Sequence, residues 1–289
     1  MANLKDLKLR IASVKKTQQI TRAMKMVAAS KMKRATDAIS NTRPYAEKLK
    51  DLMSNLFSDA QAFGNQYAEE RDVKRVLLLV VAADKGLCGG FNNNIRKATL
   101  AKIDEYKKQG IDVSVISVGR KAVELCAKMD GIDVLSSYPG IFLDLQFETA
   151  HQISNDLKKY FTDGTVDKVD LIYNRFVNAI SQVPTTEQYL PLVVEQAEES
   201  ERKVDYIYEP NRVELISTLI PRHLNMHVWK VLLESNASEQ AARMMAMDSA
   251  TENAGDLIKS MNLTYNNLRQ AKITSELAEI VGGAAALEG

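Results

Sequence analysis

The turn Ala83-Asp84-Lys85-Gly86-Leu87-Cys88-Gly89-Gly90-Phe91 is where this chain comes nearest to chemistry. It follows an apolar run, Val76 to Val81, and leads into a helical stretch. Proteins cradle phosphate with such a turn, because small residues let backbone N–H groups and the helix N-terminus approach an anion. The spacing argues against that use. After Gly86 the order is Gly-Leu-Cys-Gly-Gly rather than G-x-G-x-x-G, no Lys-Ser/Thr closes a GxxxxG, and no acid stands clearly placed for a ribose. What remains is a tight strand-to-helix turn in which glycine permits φ > 0 and close packing. His223 and His227, at i and i+4, have a spacing that can share a metal. No third ligand is evident and Pro221 disturbs the local helix, so we read them as helix surface or packing. Cys88 and Cys126 are far apart without a CxxC, which argues against a disulfide framework or a zinc site and for a reducing compartment. Cys126 lies in a helical apolar pattern and reads as core, and His151 is solitary. No Ser/His/Asp or paired-carboxylate arrangement stands out, so the chain offers no catalytic, cofactor-binding or metal-binding residue.

The elements around this turn fall into three textures. From Leu4 to about Phe57 there is one proline, Pro44, and no glycine. Apolar residues at Leu4, Leu7, Ile11 and Val14 are spaced by three and four. The spacing lapses around Gln18 and Thr21 and resumes at Met24, Ala28, Met32, Ala35 and Ile39. This predicts one long helix, with a coiled-coil stutter at the lapse. Residues 73–208 alternate strands and helices. Val76–Ala82, Val113–Val118 and Val169–Val177 read as buried strands, and TTEQYLPLVV as an edge strand because Pro191 cannot donate to a ladder. Helical stretches near 92–109, 119–128 and 146–162 lie between them, which predicts a small, mostly parallel α/β sheet of Rossmann-like type. After Pro210 the pattern is helical to about Ala286. Its stripe is Leu257, Met261, Thr264, Leu268, Ala271, Ser275 and Ala278, and Pro221 should kink or split the helix. The two terminal helices, roughly 80 and 110 Å long at 1.5 Å per residue, exceed a compact domain of this mass. They can pair antiparallel, and an apolar helix projecting beyond the pair needs another protein to cover it. The organisation expected is 1–60 and 210–289 as one paired-helix shaft, with 73–208 as an α/β domain.

Charge sharpens this picture. The net charge is +1, yet residues 1–34 hold ten Lys/Arg against one acid, Asp6, a local +9 that leaves the remainder at −8. That asymmetry marks the N-terminal segment as a surface for acidic groups. The segment superficially resembles a mitochondrial transit peptide, but its charges are mostly Lys and it continues into the helix, so it reads as mature protein. The longest apolar run, Val76–Ala83, is too short to span a membrane.

Four separated motifs resemble one known family. ITSELAEIVGGAAA, SEQAARMMAMDSATENA, ITRAMKMVAASKMKRA and DKGLCGGFN look like the γ subunit of bacterial F-type ATP synthases, in order from Leu4 to the C-terminus. No segment resembles the redox insertion of the chloroplast form. The resemblance implies a central-stalk rotor, one copy per complex, that makes and breaks no bonds. Its partners would be the α and β subunits of the α3β3 ring, the ε subunit and the c-ring. It implies no cofactor, no nucleic acid, no direct membrane insertion, and a peripheral place on the cytoplasmic face of the bacterial plasma membrane.

Residue by residue, the resemblance puts Met24, Lys25, Arg243, Gln270, Thr274 and Glu276 against the ring. Lys31, Lys33 and Arg34 would lie near acidic β loops, and Tyr206 and Tyr208 of DYIYEP at the foot near c and ε. Met24 also fits a core position on the stripe, the three basic residues also fit a solvated face, and one of the two tyrosines could simply pack against its own domain. Two rivals come from other classes. A nucleic-acid binder would use the basic helix, yet no aromatic that could stack on a base precedes Tyr45. A nucleotide-binding enzyme would use the glycine turn.

Overall fold

The computed structural model describes residues 4–62, 65–129, 131–192 and 211–288. The chain divides into two units, Met1–Ala28 with Met244–Gly289, and Ala29–Arg243. Along the chain the elements are α1 (Leu4–Ala62), β1 (Arg75–Val81), α2 (Phe91–Lys108), β2 (Asp112–Val118), α3 (Arg120–Cys126) and β3 (Asp133–Tyr138). They continue with a short 3-10 turn (Ile141–Leu143), α4 (Phe147–Thr162), β4 (Lys168–Phe176), β5 (Gln182–Leu190) and α5 (Arg212–Glu288).

The second unit holds a five-stranded sheet in the order β3-β2-β1-β4-β5. Strands β1 to β4 are parallel and β5 pairs antiparallel with β4 at the edge. The mostly parallel α/β sheet is therefore as expected. β1 is buried from Val76 to Val81 because both faces are covered. Leu77, Leu79 and Val81 point into one core with Ile116, Val118 and Leu171, under Ile153, Leu157 and Phe161 of α4 and Ile220, Leu224 and Val228 of α5. Val76, Leu78 and Val80 alternate to the other core, under Ile95 and Ile103 of α2 and Ala122 and Cys126 of α3. Each such leucine buried completely contributes about 1.5–3 kcal/mol.

The structure adds a strand and removes a break. β3 is absent from the sequence reading because Asp-Val-Leu-Ser-Ser-Tyr lacks a buried apolar run, and as an edge strand it is only partly covered. α5 runs through Pro221 without splitting. Ile216, Ile220, Leu224 and Val228, all buried, hold the turns on either side of the proline against the sheet core.

In the first unit, α1 and α5 pair antiparallel: Gln18 and Thr21 meet Thr251, and Lys25 meets Asp248. In this unit the covered positions of α1 include Leu4, Leu7, Ile11, Val14, Gln18, Thr21, Lys25 and Ala28, spaced alternately by three and four, with Met24 half-buried beside Lys25. The expected stutter is therefore a polar layer placed in register. Gln18 Nε2 donates to the Thr251 carbonyl at 3.2 Å, and the Thr21 and Thr251 hydroxyls are 2.8 Å apart. On α5 the covered stripe is Met247, Thr251, Ala254, Ile258, Met261, Tyr265 and Leu268. Met261 and Leu268 match the expected stripe, whereas Leu257, Thr264, Ala271, Ser275 and Ala278 are exposed. The covered face lies one residue on from the sequence reading, with Ile258 and Tyr265 covered in place of Leu257 and Thr264.

Candidate functional site

The glycine turn sits at the C-terminal end of β1, where parallel α/β sheets gather their loops. Its interior is filled by the protein itself. The Asp84 carboxylate accepts three backbone N–H groups, Arg120 at 2.9 Å, Gly140 at 2.7 Å and Phe142 at 2.9 Å. Those donors belong to the turns after β2 and β3, so Asp84 occupies the role an anionic ligand would take. The next two residues present carbonyls instead of amides. Arg243 Nη2 of α5 donates to Gly86 O at 3.1 Å and Lys85 O at 3.4 Å, while Arg243 Nη1 meets Glu239 Oε1 at 2.5 Å. Burial raises the Glu239 carboxyl above its ordinary pKa more strongly than the Arg243 charge lowers it. Lys85 and Gly86 thus turn carbonyls rather than amides to their partner, the reverse of a phosphate cradle, whose backbone N–H groups face the anion.

Glycine is used selectively around this turn. Within it, Gly89 has φ +56° and Leu87 φ +62°, whereas a Cβ at Gly86 would meet nothing within 4 Å. The glycine with no substitute is Gly119, between β2 and α3: at φ +85° its Cβ would lie 2.0 Å from the Ala82 carbonyl oxygen. Gly119 N–H donates to Tyr138 O at 2.9 Å, and the following residue, Arg120, is one of the donors to Asp84.

The remaining expected positions scatter. Met24 and Lys25 are half-buried in the helix pair, with Lys25 Nζ 2.5 Å from Asp248 Oδ1. Both side chains of that pair are more than a third exposed, so it contributes at most about 1 kcal/mol. Lys31, Lys33 and Arg34 are exposed. So are Gln270, Thr274 and Glu276, whose described bonds stay within α5: Thr274 Oγ1 to Gln270 O at 3.0 Å and Lys272 to Glu276 at 3.6 Å. Arg243 alone is joined to the glycine turn. Tyr206 and Tyr208 lie outside the described residues. His227 Nε2 pairs with Glu187 Oε1 at 2.7 Å across α5 and β5, a polar partner that the sequence did not indicate. Cys126 is core, and burial pushes its thiol up to about 11. No described helix is long and apolar enough to cross a membrane. Sequence reasoning missed Asp84, Gly119 and Glu239. Their only local signal is an acid at the first position of the turn, a glycine closing a strand, and a Glu four residues before Arg243.

Comparison with known proteins agrees with this architecture over the whole chain. The family model described as ATP synthase matches residues 3–287. The ATP synthase gamma chain of Christiangramia forsetii is 48% identical over 294 residues, covering 100% of both chains. The gamma chain of Chlorobaculum tepidum is 45% identical, again over 100% of both. Among solved structures, the central stalk and c-ring of the Tetrahymena thermophila mitochondrial ATP synthase contains a chain with 29% identity and a TM-score of 0.59, covering 80% of this chain and 99% of that one. A chain of the Euglena gracilis mitochondrial enzyme shares the fold at a TM-score of 0.70 and 19% identity, over 98% and 94% of the two chains. With the family model spanning residues 3–287 and gamma chains 45% and 48% identical over their full length, the chain belongs to the ATP synthase gamma chain family.

Proposed function

We propose that the chain is the central-stalk rotor subunit of a proton-translocating F-type ATP synthase. It carries torque between the membrane c-ring and the catalytic α3β3 ring and so couples proton flow to ATP synthesis or hydrolysis. One copy serves each complex, with ε as a further partner, on the cytoplasmic face of the bacterial plasma membrane. The chain itself makes and breaks no bonds. The observation that carries this reading is the identity of about half with gamma chains over their full length. In this assignment residues 1–60 and 210–289 form the shaft and 73–208 the foot.

Chemistry on the surface supports it. In the first unit Leu9, Ile20, Met26 and Val27 of α1 and Leu263, Ile273, Leu277, Ile280 and Val281 of α5 are exposed, the condition of helices covered by another protein. Met24, Lys25, Gln270, Thr274 and Glu276 then face the ring, Lys31, Lys33 and Arg34 meet acidic β loops, and Tyr206 and Tyr208 serve c and ε. Arg243, engaged with the glycine turn, belongs to the same ring-facing set. The test mixes the chain with α and β subunits and watches a bead fixed to it during ATP hydrolysis. Unidirectional rotation is expected. A chain that bound duplex DNA tightly and did not associate with α and β would overturn the reading.

A further inference from the structure

We propose that Arg243 and the turn Asp84-Lys85-Gly86 form a latch that fastens α5 to the ends of the sheet strands and carries load between them. The load-bearing part rests on the rotor reading above; the latch itself does not. Arg243 is the last α5 residue of the sheet-bearing unit. Its guanidinium bridges two elements, one nitrogen on Glu239 of its own helix and another on the carbonyls of Lys85 and Gly86. The adjoining residue, Asp84, passes the connection to Arg120, Gly140 and Phe142. Ser238 Oγ adds a bond to Asn174 O at 3.0 Å, at the end of β4. One turn and a half of α5 is thereby tied to the ends of β1, β2, β3 and β4. The Arg243 and Glu239 side chains are 11% and 5% exposed, so the pair is desolvated. A buried ion pair is weak evidence of stability, since desolvation offsets its attraction. Its geometric yield is what distinguishes it, because only the planar fork reaches both partners at once.

The chain contains its own reporter and its own control. Cys88 lies under the latch, with its thiol directed to Lys85 O at 3.7 Å and bonded by Asn92 Nδ2 at 3.2 Å. Cys126 is equally buried, at 2% exposure, at the end of α3 in another core. In the full chain, alkylation at the two thiols is followed by mass spectrometry for wild type, Arg243→Lys and Arg243→Ala. The latch predicts Cys88 labelling faster by about tenfold in both variants, with Cys126 unchanged; tenfold corresponds to about 1.4 kcal/mol. In the complex with α and β subunits, a bead on Lys108→Cys should show wider angular fluctuation in the variants. Unchanged Cys88 labelling would overturn the latch, as would a joint rise at both cysteines, which is general loosening. Faster Cys88 labelling with unchanged bead fluctuation would overturn the load path. A wild-type chain that labels as predicted but never rotates removes the rotor reading and leaves the latch standing.

Discussion

Replacing Gly119 by alanine should damage the sheet-bearing unit far more than the same change at Gly86. The new Cβ would stand 2.0 Å from the Ala82 carbonyl oxygen, where real Cβ contacts essentially never fall under 3.0 Å. Both atoms sit on strand ends held by the β1–β2 ladder, so backbone must move by about 1 Å through a close-packed core. A φ of +85° adds strain of about 1–3 kcal/mol for a residue with a side chain. Together the loss is at least about 4 kcal/mol, among the large single-residue effects and a substantial part of a typical 5–15 kcal/mol. At roughly 2–4 °C per kcal/mol, Tm should fall by about 8–16 °C. Gly86→Ala meets nothing within 4 Å and has no positive φ, so it should stay within about 0.5 kcal/mol of wild type. Calorimetry or urea unfolding of the two variants beside wild type decides the matter. A Gly119→Ala protein within about 2 °C of wild type, or a Gly86→Ala protein just as unstable, would refute the reasoning.

Other expectations follow from burial and pairing. Glu234 is buried with Oε2 unpartnered, and burial raises its carboxyl pKa more than Lys230 lowers it. The folded state therefore holds the proton more tightly than the unfolded chain, and ionisation penalises the fold as pH rises through the raised value. Glu234→Gln should raise Tm at pH 8 and change nothing at pH 4; an equal shift at both would show that titration is not the cause. A double-mutant cycle of Thr21→Val and Thr251→Val should give a coupling of about 0.5–1.5 kcal/mol for the polar layer, and one below about 0.3 would remove it as a specific bond. Deleting residues 273–289 should leave the thermal transition in place, since Ile273 to Gly283 are exposed. It should weaken association with α and β subunits by at least about tenfold in sedimentation, a loss of about 1.4 kcal/mol. A deletion that abolished the transition would contradict this.

Patterning along the chain determined the element order, because periodicity is a local property. The short β-branched run Val-Leu-Leu-Leu-Val-Val, bounded by charged and glycine residues, reads as a strand covered on both faces, and the spacings of three and four from Leu4 onward write a helix stripe into the sequence. The pattern erred where polar residues took apolar places. Gln18 and Thr21 looked like a break, yet they hold the register, because Thr251 on the other helix satisfies them. The glycine-rich turn was visible as a turn, and its spacing already told against nucleotide. What it does instead was decided in three dimensions. The donors to Asp84 lie 36, 56 and 58 residues away in sequence, and Arg243 lies 157 residues from Gly86. Such partners meet only because parallel crossovers in the order β3-β2-β1-β4-β5 bring the strand ends to one side and lay α5 against them. The same geometry, by passing the Ala82 carbonyl across Gly119, settled which glycine the fold requires.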